Sequence, residues 1–221
     1  MNIYRSVYFG LLLICLFSYC INFRKKEHYA WLVILLLLLW LFTAAIAIYL
    51  IKSVGLKNNL FIFHISTPVE YIIVCMLYKH SIVNAQIRKM IFYSIPVFIV
   101  LSMLFSMFIQ TPDFNNSYTI IIESVLMIFL SLFFLREVLL LQQVTVLHQF
   151  PMFWISVGIL FYYTGNLIIE GMLNYMVNHS MELARRTYMI SYIFKYLLFC
   201  LFIIGAFCDR PFTFAIKKRN R

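Results

Sequence analysis

Apolar residues run through this chain in seven long blocks, with short polar stretches between them. The blocks fall at 6–23, 30–51, 59–78, 90–110, 118–136, 152–175 and 187–208. Each has about the 20 residues that a helix needs to cross the hydrocarbon of a bilayer. In lipid the backbone must satisfy its own hydrogen bonds, so unbroken apolar blocks of this length are helices. The pattern predicts an all-α polytopic membrane protein, a seven-transmembrane-helix bundle. A single transmembrane domain would span 1–209, and a basic cytoplasmic tail 210–221. The stretches "RKKEH", "KSVGLKN", "KHSIVNAQIRK", "TPDFNNS" and "VNHSMELARR" read as loops. The stretch 137–150 reads as a segment along the membrane surface before the sixth span. The first block lacks a small-residue cleavage site before "NFRKK", so it reads as a retained helix.

Composition agrees with lipid as part of the solvent. Hydrophobic residues make up 64% of the chain and charged ones 12%, and the mean hydropathy is +0.92. A soluble domain of this size is near half apolar and a quarter charged. The net charge of +10 raises the question of nucleic acid. No basic face with interleaved aromatics exists outside the spans, so nucleic acid is excluded as a partner. The basic residues instead orient the bundle. Twelve lie in the first, third and fifth loops and the tail, and five lie at the opposite end: Arg5, Lys52, Lys57, Arg185 and Arg186. Positive residues collect on the cytoplasmic side, which puts the N-terminus outside and the C-terminus in the cytoplasm. The five cysteines sit in or beside apolar blocks with no metal-type spacing, and read as small buried hydrophobes.

One basic residue remains, Lys195, inside the apolar run "SYIFKYLLFC". A charge at the bilayer centre costs about 2.5–3.5 kcal/mol and usually faces the bundle interior. At about 1.5 Å per residue, Lys195 lies about 12 Å below the outer surface and Glu70 about 16 Å below it. His64 and Glu123 lie about 8 Å down. The sixth span runs the other way and brings Asn166 and Glu170 into the same outer half. The inner halves, such as "YIIVCMLY" and "FLSLFFL", hold little that ionises. This asymmetry predicts a pocket open to the outside rather than a pore.

Helical phase supports the clustering. Gly158, Tyr162, Asn166, Glu170 and Asn174 form one slowly drifting stripe, and Tyr188, Ser191, Tyr192 and Lys195 share a face. Ser66, Thr67, Glu70 and Val74 share another, with His64 about 120° away from Glu70. Pro68 removes a backbone donor near Glu70 and favours a kink there. The candidate ligand-binding residues are Glu70, Lys195, Glu123, Asn166, Glu170, Tyr162 and His64. A buried ammonium needs an anion, and depth makes Glu70 the first expected partner of Lys195, then Glu123. No HExxH, paired-aspartate or nucleophile-elbow motif occurs, and nothing names a metal or a cofactor.

Three stretches carry a resemblance: "HISTPVEYII" at 64–73, "FWISVGILFYYTGNLI" at 153–168 and "FKYLLFCLFIIGAFCDR" at 194–210. With these the chain resembles a group of small seven-helix inner-membrane proteins common in Bacteroidetes. The matching positions are Glu70, Trp154, Gly158, Tyr162, Tyr163, Gly165 and Asn166. Related modules precede histidine-kinase domains, so the resemblance implies a sensory input. This chain ends in a short basic tail, which implies a separate cytoplasmic signalling partner. The expectation is a receptor or sensor-like module, in a bacterial inner membrane, whose pocket takes a small or lipidic ligand. The alternatives are an intramembrane lipid-modifying enzyme with Glu70 or His64 as general base, a transporter, and a structural subunit of a membrane complex.

Overall fold

The computed structural model describes residues 3–22, 28–55, 58–111, 114–140 and 147–208. The first-loop cluster 24–26, Lys57, the middle of the expected surface segment at 141–146, and the tail 210–221 lie outside the described residues. Seven α-helices follow in chain order: α1 Ile3–Ile21, α2 His28–Tyr49, α3 Phe61–Ser81, α4 Ala85–Phe108, α5 Ser117–Leu140, α6 Pro151–His179 and α7 Met181–Phe207. All seven contain stretches long and apolar enough to cross a membrane. Many of their outward side chains are exposed and apolar, among them Phe42, Val97, Phe129 and Ile193. Water would penalise such a surface, and lipid does not.

The helix ends follow local chemistry. Asn84 caps α4, its side chain accepting from the backbone N–H of Gln86 at 2.9 Å. Pro151 opens α6, where its missing N–H costs nothing. A widened, π-type turn over Leu50–Val54 closes α2 on Gly55, whose φ of 74° suits glycine. Three expected boundaries move. α3 runs to Ser81 and α4 starts at Ala85, five residues before its apolar block, so only 82–84 of the "KHSIVNAQIRK" loop is not helix. The stretch "VNHSMELARR" is helical except at Ser180, which accepts from the Leu183 N–H and starts α7 six residues before the apolar block does. Glu182 and Arg186, 2.6 Å apart one turn on, support this extension in water. Likewise α5 continues to Leu140, so 137–140 is helix and not surface segment.

Contacts between helices define a ring. In spatial order α1, α2, α3, α5, α6 and α7 each touch the next, and α7 returns to α1. α4 packs outside this ring, against α3 and α5. The tightest seam joins α6 to α7 over glycines. A Cβ at Gly158 would come within 3.2 Å of Leu198, and one at Gly165 would press into the ring of Phe194. Small residues let membrane helices approach closely, which is the packing role these glycines take. α3 and α4 each contain a proline, Pro68 and Pro96, and remain single helices.

Polar side chains tie the helices together at several levels. Tyr78 and Ser131 join α3 to α5 at 2.9 Å, and Tyr71 donates to Ser94 on α4 at 2.9 Å. Glu137 on α5 accepts from the N–H groups of Val83 and Asn84, at 3.1 and 2.8 Å, and so holds the turn between α3 and α4. Tyr196 on α7 donates to the carbonyl of Tyr4 on α1 at 2.6 Å.

Candidate functional site

The ring of six helices encloses a cavity of about 560 Å³, within the range of small-molecule sites. Its lining includes Arg5 and Lys52, from the start of α1 and the end of α2, with Asn115 before α5 and Tyr188 early in α7. All of these lie at the end of the bundle that carries the N-terminus, and the cavity opens there. Below it, Trp40 of α2 stands among Tyr162, Phe199 and Phe202, with ring centroids 6.1, 5.9 and 6.4 Å away. This aromatic layer floors the cavity partway along the helices. A second, smaller cavity of about 480 Å³ lies at the other end, between α3 and α4, and is lined by Lys79, His80, Arg88 and Lys89.

Six of the seven expected residues line the main cavity: Glu70, Glu123, Tyr162, Asn166, Glu170 and Lys195. Phase brings Ser66 and Thr67 of α3, and Tyr188, Ser191 and Tyr192 of α7, to the cavity lining as well. His64 is elsewhere. It is buried toward α4, where Nδ1 meets the Ser106 hydroxyl at 2.7 Å and Nε2 meets the Phe114 carbonyl at 3.1 Å. The angular offset of His64 from Glu70 on α3 turns it out of the ring, so it clasps α4 instead of lining the cavity.

Each carboxylate has its own surroundings. Glu170 accepts from Asn115 and from the Ser117 hydroxyl, both at 3.0 Å, which anchors the end of α6 to the start of α5. Glu70 accepts from the Tyr163 hydroxyl at 2.6 Å across the α3–α6 gap. The Trp40 indole faces the same carboxylate from α2. Glu123 is 3% exposed, and its Oε1 has no hydrogen-bond partner among the described residues. Glu70 and Glu123, on neighbouring helices α3 and α5, are within electrostatic range of each other.

Lys195 does not make the expected ion pair. Among the described residues the only ion pair within 4.0 Å is Arg186–Glu182, at the surface. The Lys195 ammonium instead stands among three rings, 5.5 Å from the centroid of Tyr192 and 5.8 Å from those of Tyr8 and Tyr188. It feels the charges of Glu70 and Glu170 without touching either. The physical reason is the cavity itself: an ammonium at the edge of open volume can remain solvated and bind ring faces, which relieves it of the need for a carboxylate.

Helical phase in the sequence did not reveal the α1 and α2 walls. α2 is apolar on every side, so nothing marks Trp40 and Thr43 as facing inward. Arg5 and Lys52 stand at span ends and count there only as orienting charges. Among the described residues no three His, Cys, Asp or Glu side chains gather closely enough to hold a metal ion. No protein-family model, curated protein or solved structure matches the chain.

Proposed function

We propose that this protein is a receptor or sensor-like membrane module whose cavity takes a small or lipidic ligand through an anionic group. The observation that carries this reading is Lys195: a cation on the cavity wall, held among three aromatic rings, with no carboxylate among the described residues within ion-pair distance. Arg5 and Lys52 add positive charge near the mouth. An occupant would touch six helices at once, so binding couples to how they pack. The aromatic layer under the cavity favours a binding pocket over a transport path.

The same reading places the mouth outside the cell. The excess of basic residues at the other end supports an external N-terminus and a cytoplasmic C-terminus. The resemblance to seven-helix proteins of Bacteroidetes supports the bacterial inner membrane, and a separate cytoplasmic signalling partner that reads the packing change. The mechanism is a bias between two helix packings: an anion that engages Lys195 draws α7 toward the facing helices.

Thermal unfolding of the purified full-length protein, with short-chain phospholipids as probes, tests the reading. A ligand at a hundred times its Kd stabilises by about 2.7 kcal/mol. For a chain of this size that raises Tm by about 5–10 °C. At least one anionic probe shifts the wild type and fails to shift Lys195→Met. Equal shifts in the two proteins, or no shift with any probe, contradict the proposal.

A further inference from the structure

The cavity has a second ionisable region, built from carboxyl groups where the first is built on an amine. Glu170 takes two donors on Oε2, from Asn115 and Ser117, and ties α6 to α5. Glu70 and Glu123 are different. Glu70 accepts from Tyr163 on one oxygen, with the Trp40 indole facing the same carboxylate, and is only half-buried. Glu123 is buried, lines the cavity and leaves Oε1 without a donor among the described residues. No described cation lies within 4.0 Å of either. A buried carboxylate oxygen without a donor is costly, and a positively charged donor supplied by a ligand would relieve Glu123 and add a charge-assisted contact to Glu70.

The walls beside these carboxylates suit such a group. The rings of Trp40 and Tyr162, with centroids 6.1 Å apart, line the cavity beside Glu70. Indole and phenol faces attract ammonium groups. A simple anion would meet the two carboxylates as it entered the deep part of the cavity. A simple cation would meet Lys195 on the way in. A molecule with both charges satisfies both regions.

We infer that the occupant is a zwitterion, with its anionic group at Lys195 and a protonated amine seated between Glu70 and Glu123 beside Trp40. The inference rests on the cavity being a ligand site and adds the ligand's chemical class. Lys195 and Glu70 are beyond ion-pair distance from each other, so the two charges are separated by several bonds, as in a phosphoethanolamine group. That group occurs free in solution and as the headgroup of an aminophospholipid.

Binding of three probes to the full-length protein tests the inference: dihexanoyl phosphatidylethanolamine, dihexanoyl phosphatidic acid and soluble phosphoethanolamine. The amine-bearing lipid binds at least about tenfold more tightly than phosphatidic acid, the loss expected for one charged contact. Glu70→Gln, or Glu123→Gln if the first variant does not fold, removes that preference and leaves phosphatidic acid binding as strong or stronger. Lys195→Met weakens both lipids. Binding of soluble phosphoethanolamine with the same dependence on Glu70 assigns the site to a free zwitterion. Binding of the acylated probe alone assigns it to a lipid. If the wild type binds phosphatidic acid as tightly as phosphatidylethanolamine, the amine subsite is wrong and the anion site stands. If no probe binds, the ligand-site reading falls and the inference with it.

Discussion

Replacing Lys195 by methionine separates the two ways a lysine can sit at this depth. Its ammonium lies 5.5–5.8 Å from three ring centroids. Each such contact is worth about 0.5–1 kcal/mol at a partly wet site, so the three contribute about 1.5–3 kcal/mol. Opposing them is the cost of a charge in the membrane, about 2.5–3.5 kcal/mol at the centre and less toward the surface. Methionine retains an unbranched stem that fills the same space. Loss and relief nearly cancel, leaving Lys195→Met within about 1 kcal/mol of the wild type. The corresponding change in Tm is at most about 4 °C. An ion pair with Glu70 would respond differently, because stripping one partner from a buried pair costs about 3–5 kcal/mol, or about 6–20 °C. Thermal unfolding in detergent, followed by circular dichroism, decides between them. A fall of about 10 °C or more, reversed by adding Glu70→Gln, refutes the unpaired lysine.

Other substitutions test the frame around the cavity. Gly165→Ala drives a methyl into the Phe194 ring, an overpacking that costs about 1–3 kcal/mol against a helix-propensity gain of up to about 1 kcal/mol. Gly171→Ala, where the methyl would meet nothing within 4 Å, is neutral or stabilising, and the two Tm values should move in opposite directions or differ clearly. Glu137→Ala frees two backbone donors in the α3–α4 turn and lowers stability by about 1.5–3 kcal/mol, with partial recovery in Glu137→Gln, both read by chemical unfolding. His64→Ala unlocks α4 and costs about 1–3 kcal/mol, yet leaves the ligand-induced Tm shift intact because His64 lies outside the cavity. A lost shift in His64→Ala would place that residue in the site after all.

The seven helices were legible because lipid imposes a length and a polarity that no loop imitates. Their ends were less so. The α6–α7 turn reads as a ten-residue polar loop, but only Ser180 leaves the helix, since polar residues outside the membrane are as helical as apolar ones within it. Polar phase worked where a helix carries both kinds of residue. On α6 it placed Tyr162, Asn166 and Glu170 together, and on α7 it placed Lys195 with Tyr188 and Tyr192. It had no purchase on α2, so Trp40, central to the floor, went unmarked. Depth alone grouped His64 with Glu70, but the helix turns them toward different neighbours. Depth also suggested the Lys195–Glu70 pair, because equal depth says nothing of the lateral gap between helices. Here that gap is the cavity.

An experimental density map of the full-length protein, extracted with its native lipid, tests the central claim most directly. The account predicts density not belonging to the protein inside the ring of α1, α2, α3, α5, α6 and α7, ending within hydrogen-bond distance of the Lys195 ammonium. A map with the helices closed together, the cavity gone and Lys195 bonded to Glu70 would contradict it.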